Sequence, residues 1–266
     1  MAGTFYPADP DALRDLVDRL LAAARAAAPP DHAPVPKAVI VPHAGYEYSG
    51  PVAASAYVRI APAAGRITRV VLAGPAHHVR FDGLALPDAE RLETPLGLMR
   101  AAPIDLPGIV TNARAHAAEH SLEVQLPFLQ RVLGDVEVVA LLAGEAPADS
   151  VTAALDALWG GPETLIVISS DLSHYHPWDD AVRRDARSAA QIEALGPPLG
   201  DDQACGATPV NGLMAAAKRR GLRVERLDLR NSGDTAGPRD EVVGYGAFAF
   251  HEPAWERGGM TAGEAS

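Results

Sequence analysis

A single cysteine, Cys205, stands among 266 residues, so no intrachain disulfide can form. Positive charge is also short. The chain has 23 Lys and Arg against 34 Asp and Glu, a formal net charge of −11. That balance argues against a nucleic-acid backbone or an anionic membrane surface as partner. Aromatic residues make up only 5% of the chain, and their placement offers no base-stacking surface. No apolar run approaches the roughly 18 residues that suggest a membrane-spanning helix. There is no Gly-x-Ser-x-Gly elbow and no glycine-rich phosphate loop. The first residues, Met1 to Pro7, show neither the basic nor the apolar segment of a signal peptide. With the lone cysteine, this makes a cytoplasmic location the expectation.

What the chain does have is a hydrophobic fraction of 48%, ordinary for a globular protein with a sizeable core. Asp9-Pro10 reads as an N-cap with proline at the first helical position. Leu13, Leu16, Val17, Leu20 and Leu21 then follow helical spacing up to Pro29-Pro30. Further helices are predicted over 52–61, 148–159 and 179–194, and from near Pro209. Leu122, Leu126, Leu129 and Leu133 mark another, with Pro127 kinking it or opening a later turn. Strands are predicted at Ala38–Val41, Arg69–Ala73, Leu84–Leu86, Val136–Leu142, Leu165–Ile168, Leu222–Leu227 and Val242–Phe250. Gly244 and Gly246 read as a packing feature of the last of these. Residues 80–118 read as loops and edges. Alternating strands and helices imply one layered α/β domain over 1–252, with a central, mostly parallel sheet flanked by helices. Residues 253–266 read as a flexible tail.

Three apolar runs lead into histidines. Ala38–Val41 precedes Pro42-His43, Val70–Ala73 precedes Gly74-Pro75-Ala76-His77-His78, and Leu165–Ile168 precedes Ser169-Ser170-Asp171-Leu172-Ser173-His174-Tyr175. Short continuous runs rich in Val and Ile read as strands buried on both faces. In open α/β sheets, ligands bind beyond the carboxyl ends of such strands. His43, His77 and His174 are thus expected on one rim. Two imidazoles and one anionic ligand, with positions left open, suit a catalytic transition metal such as ferrous iron. The anionic ligand could be Asp171 or the thiolate of Cys205, whose position just before a helix should favour ionisation.

One member of the His77-His78 pair should face the site and the other turn away. His120 opens a helix and is either a proton donor or acceptor behind the site or a helix-start residue. His32, His116 and His251 lack such a context, and His176 reads as loop.

These segments resemble the Memo family, known in bacteria and archaea as AmmeMemoRadiSam system protein B. The resemblance runs from about Ala2 to Phe250. It rests on Ala2–Pro7, Pro42–Tyr46 with Ser49-Gly50, Gly74–His78, Glu119–Pro127, Ser169–Tyr175, Cys205-Gly206, Asn231–Asp234 and Val243–Tyr245. Singly each is modest; in this order they are specific. The resemblance implies a fold similar to class III extradiol ring-cleaving dioxygenases, which hold nonhaem ferrous iron with two His and a carboxylate. It implies His43 and His77 as imidazole ligands and puts Cys205 where those enzymes have the carboxylate. Asp171 and His174 would line the same pocket, as support for the ligands or as a second metal position.

Family members usually carry several residues before the Ala-Gly-x-Phe-Tyr-Pro segment, so a start upstream of Met1 is a corresponding expectation. The expected cofactor is Fe(II), then copper, with zinc third. Three readings follow. One is a dioxygenase-like redox enzyme acting on a small molecule, with His174, Asp171 and His120 as its catalytic groups. Another is a non-catalytic metal protein serving an AMMECR-type or radical SAM partner, a partnership the family's bacterial name implies. The last is a zinc hydrolase.

Overall fold

The computed structural model describes residues 1–28 and 34–253. The first helix, expected to end near Pro29-Pro30, ends at Ala27; His32 and the tail from residue 254 onward lie outside the described residues. Among the described residues, eleven strands join in one sheet. They are β1 (Ala38–Val41), β2 (Arg69–Pro75), β3 (Leu84–Leu86), β4 (Arg91–Thr94), β5 (Gly97–Ala101), β6 (Ile109–Thr111), β7 (Glu137–Ala143), β8 (Thr164–Ser169), β9 (His174–His176), β10 (Arg223–Asn231) and β11 (Val242–His251). The helices are α1 (Pro10–Ala27), α2 (Gly50–Ile60), α3 (Ala113–Ala117), α4 (His120–Glu123), α5 (Leu126–Leu133), α6 (Ala148–Leu158), α7 (Trp178–Glu193), α8 (Ala207–Arg220) and α9 (Ser232–Thr235).

The main path of the sheet runs β10-β11-β1-β8-β2-β7-β3-β6. Its centre, β1-β8-β2-β7, is parallel throughout. Antiparallel pairs flank it, β11 against β1 on one side and β3 against β7 on the other. The central strands are buried on both faces, and alternate residues serve two cores. Val39, Val41, Val70, Leu72, Val138 and Leu142 belong to the core that also takes in α1, α2 and α5. Ile40, Val71, Ala73, Val139, Ile166 and Ile168 belong to the core shared with α6 and α8. The result is a three-layer α/β domain in which β1, β2 and β8 all end on one edge.

Local chemistry fixes the helices. Asp9 caps α1, its side chain accepting the Ala12 N–H at 2.8 Å, with Pro10 in the first turn. A Cβ on Gly50 would come within 2.8 Å of Leu20 Cδ1, so the start of α2 lies close against α1. The leucine pattern from 122 to 133 is two helices, α4 and α5, because Pro127 sits in the first turn of a new one. Residues 80–118 hold β3 to β6 and α3, more regular structure than their proline and glycine content suggested. At Gly244 a Cβ would fall on the Asp185 carboxylate, and at Gly246 it would meet the Phe248 ring, so both glycines serve packing. No helix among the described residues is long and apolar enough to cross a membrane.

Candidate metal centre

His43 lies two residues past β1, His77 two past β2, and Asp171 two past β8. Cys205 lies two residues before α8. With His120 and His174 they line one cavity of about 510 Å³. All six residues singled out from the sequence therefore meet. His176, Tyr175, Asp201 and Asp202 complete the wall.

The nitrogen each imidazole turns to the cavity follows from proton accounting. Ser169 Oγ donates its only hydrogen to the Ser121 carbonyl at 2.5 Å. It must then accept from its other partners, Gln125 Nε2 at 2.8 Å and His43 Nδ1 at 2.9 Å. His43 thus carries its proton on Nδ1, leaving the Nε2 lone pair free. That Nε2 lies 3.2 Å from Cys205 Sγ. Gln125 is itself oriented, donating to the Pro42 carbonyl at 2.9 Å and accepting from the Tyr57 hydroxyl at 2.9 Å.

His77 is fixed the same way by a carboxylate. Glu119 Oε1 accepts from His77 Nδ1 at 2.8 Å and from the Ser121 N–H at 3.0 Å, and Oε2 accepts the His77 N–H at 2.5 Å. Burial opposes ionisation of Glu119, yet the hydrogen bonds from His77 and Ser121 hold its carboxyl down at about 2. An ionised Glu119 can only accept, so His77 Nδ1 donates and Nε2 is free to ligate. A carboxylate behind a metal-binding imidazole sets tautomer and ring orientation and raises basicity.

The rings approach closely. His43 meets His77 edge-on, with centroids 5.2 Å apart and planes at 80°. Donor atoms of His43, His77 and His120 all lie within 4.8 Å of one another. His120, however, stacks on His77 at 4.7 Å with planes 19° apart, and Phe5 stacks on His120 at 4.5 Å. Lone pairs lie in the ring plane, and near-parallel stacked rings send theirs side by side. The edge-on pair His43 and His77 converges better on one ion.

Burial and the neighbouring His77 lower the His43 pKa well below its ordinary value. The same two causes bring His120 down to about 4, and burial lowers His174. These three rings are neutral near pH 7, the state in which imidazole ligates. Asp171 accepts the His43 N–H on Oδ1 at 2.8 Å, which holds the β1 loop, and burial pushes its carboxyl up to about 7. His174 donates from Nδ1 to the Leu172 carbonyl across 2.8 Å, leaving Nε2 free.

Cys205 departs from expectation. The start of α8 was expected to favour thiolate, but burial and the nearby Asp171 push the thiol up to about 12. Desolvation outweighs the helix terminus here. Coordination would displace that proton, so metal uptake through Sγ releases it.

The His77-His78 pair resolves clearly. Both are exposed; His77 lines the cavity, while His78 lines only a neighbouring space of about 630 Å³ that His77 and Cys205 also border. His116 and His251 stand apart, bonded to the Ala85 carbonyl and to Glu225. Sequence reasoning assigned no role to Glu119, Gln125 or Ser169. The adjacency of Glu119 to His120 and of Ser169 to the end of β8 was the available signal. His176, read from the sequence as loop, belongs instead to β9, a short strand hydrogen-bonded to β11. Between its two histidines Tyr175 takes the left-handed φ of 58°, is 71% exposed and borders the cavity. Strained residues of this kind gather at functional sites.

The chain is similar to known proteins along nearly its whole length. A family model described as Memo-like protein matches residues 1–249. A MEMO1 family protein of Ignicoccus hospitalis is 36% identical over 95% of this chain and 98% of its own length. Proteins of the same description from Aquifex aeolicus and Sulfolobus acidocaldarius are 34% and 32% identical, each over 94% of this chain and 97% of their own. With a match nearly end to end and a histidine-rich rim where the strands end, this chain belongs to the Memo family.

Proposed function

We propose that this protein binds a redox-active transition metal, ferrous iron first and copper second, through His43, His77 and Cys205, and works as a dioxygenase-like oxidoreductase. The observation that carries the reading is a pair of oriented imidazoles with a thiol beside one of them. Two imidazoles with their Nδ1 protons committed to Ser169 and Glu119 turn free Nε2 atoms inward, and a thiol lies 3.2 Å from one of them. Two nitrogens and one thiolate suit iron or copper with positions open, whereas a structural zinc site asks for four closed ligands. Such an ion, when bound, supplies activation of dioxygen beside a substrate.

The chain's own residues do the rest. Glu119 and Ser169 orient the ligand rings. Asp171 holds the His43 loop through its backbone. His174 Nε2 is placed to take or give a proton, because its Nδ1 is committed to the Leu172 carbonyl. His120, held between Phe5 and His77, is a second neutral imidazole on the cavity wall for the same task. The substrate is a small molecule that fits the cavity. The softer, oxidisable thiolate makes simple catechols poor substrates.

Elemental analysis of protein purified without oxygen, beside the His43→Ala/Cys205→Ser double variant, tests the reading. The expected result is about one iron or copper per chain, absent from the variant, with oxygen consumption only by the loaded protein. Absence of metal from the wild type, or iron retained at full stoichiometry by the double variant, overturns it.

A further inference from the structure

Beside this centre lies a second set of donors. Ligand atoms of His78, Glu119 and His120 all fall within 4.8 Å of one another. The ring of His78 stands 5.9 Å from that of His120 and 6.4 Å from that of His77. We propose that these three residues form an outer metal site for a second divalent ion with nitrogen and oxygen preference, of the zinc, cobalt or copper(II) class. The inference rests on the reading that His43, His77 and Cys205 hold the inner ion, since this leaves His120 unclaimed.

Three observations support it. First, His120 stacks on His77 with planes 19° apart, a pairing less suited to sharing one ion than the edge-on pair His43 and His77, so His120 is suited to serve another. Its place between Phe5 and His77 also fixes its ring before any metal arrives. Second, Glu119 has capacity left. Oε1 accepts two hydrogen bonds and lies 3.3 Å from His120 Nδ1, while Oε2 accepts only the His77 N–H, which leaves it a free lone pair. Third, His78 is exposed and free to turn. Donors around an ion bonded at about 2.0–2.2 Å sit roughly 3–3.5 Å apart. Rotation of one surface imidazole closes the remaining gap.

Glu119 would then link the two ions, one oxygen holding the inner ligand His77 and the other bound to the outer ion. A cation on the outer site draws charge from Glu119 and so lowers the basicity of His77. The two sites are therefore anticooperative, and the outer ion tunes the inner one.

Titration of the metal-free full chain with Co²⁺, followed by absorbance and native mass spectrometry, tests this. Wild type should take two equivalents, the tighter with a thiolate-to-cobalt band and the weaker without one. His78→Ala, a surface change, should keep the first and weaken the second at least tenfold. Cys205→Ser should lose the band and keep a His78-dependent equivalent. A single equivalent with the band in both wild type and His78→Ala overturns the outer site and leaves the inner reading intact. A second equivalent of unchanged affinity in His78→Ala also overturns it. A wild type that never shows the band, yet binds one His78-dependent ion, overturns the inner assignment instead.

Discussion

At the scale of single residues, the imidazoles of the candidate centre depend on the side chains hydrogen-bonded behind them. Ser169 fixes the tautomer of His43, and Glu119 accepts from both the ring and the backbone of His77. Glu119→Gln keeps the shape but sets an amide NH₂ where a donor already points. Loss of such a supporting carboxylate typically costs 10–100-fold in metal affinity. We expect a fall of about that size by chelator competition, with an unchanged far-UV circular dichroism spectrum.

A second residue gives a pH signature. Burial pushes Asp185 from 3.8 up to about 6, although it accepts the Ser173 N–H at 3.0 Å. An acid raised on folding binds protons more tightly in the folded state. Its contribution to stability is therefore full below about pH 3.8 and is lost as pH rises through about 6. Asp185→Asn should flatten the stability profile between those values and raise the urea midpoint at pH 7. An unchanged profile would remove Asp185 from the account.

At the scale of elements, most strands and helices were legible, for reasons of pattern. The runs Ala38–Val41 and Leu165–Ile168 are too short for a buried helix and carry no polar residue for a solvent face. They are β1 and most of β8, buried on both sides. Asp9-Pro10 announced α1 through cap chemistry alone. What escaped was set by contacts distant in sequence. β9 exists because Val242 and Val243 offer a partner, and nothing in His174-Tyr175-His176 signals a strand. The thiol state of Cys205 was misjudged because helix position is visible in a sequence and desolvation is not. Ser169 and Gln125 gain their roles only when β8 and the start of α5 lie side by side. Packing also explains β11. Gly244→Ala would push a methyl onto the Asp185 carboxylate and should cost about 1–3 kcal/mol or more in denaturant unfolding. The double variant with Asp185→Ala should recover part of that loss.

At the scale of the whole molecule, the proposed inner ligands come from widely separated stretches, joined through the sheet. An ion held by all three binds the folded chain and not the unfolded one. At a hundredfold excess over its Kd such a ligand stabilises by about 2.7 kcal/mol. For a chain of this size, that corresponds to roughly 5–10 °C in Tm. Calorimetry with metal and with chelator should show that difference in wild type and lose it in His43→Ala. The fold class could be read from the alternation of elements. The rim could be read from the places where the apolar runs end.

The solitary Cys205 has a practical side. Any reagent that alkylates or mercurates thiols has a single target in this polypeptide, and that target borders the cavity. Its modification rate is therefore a direct gauge of occupancy, since coordinated sulfur is shielded. In the proposed centre, oxidation of that one atom would remove a ligand, with no neighbouring cysteine to trap a sulfenic acid as a disulfide within the chain. Repair would have to come from a thiol outside this polypeptide.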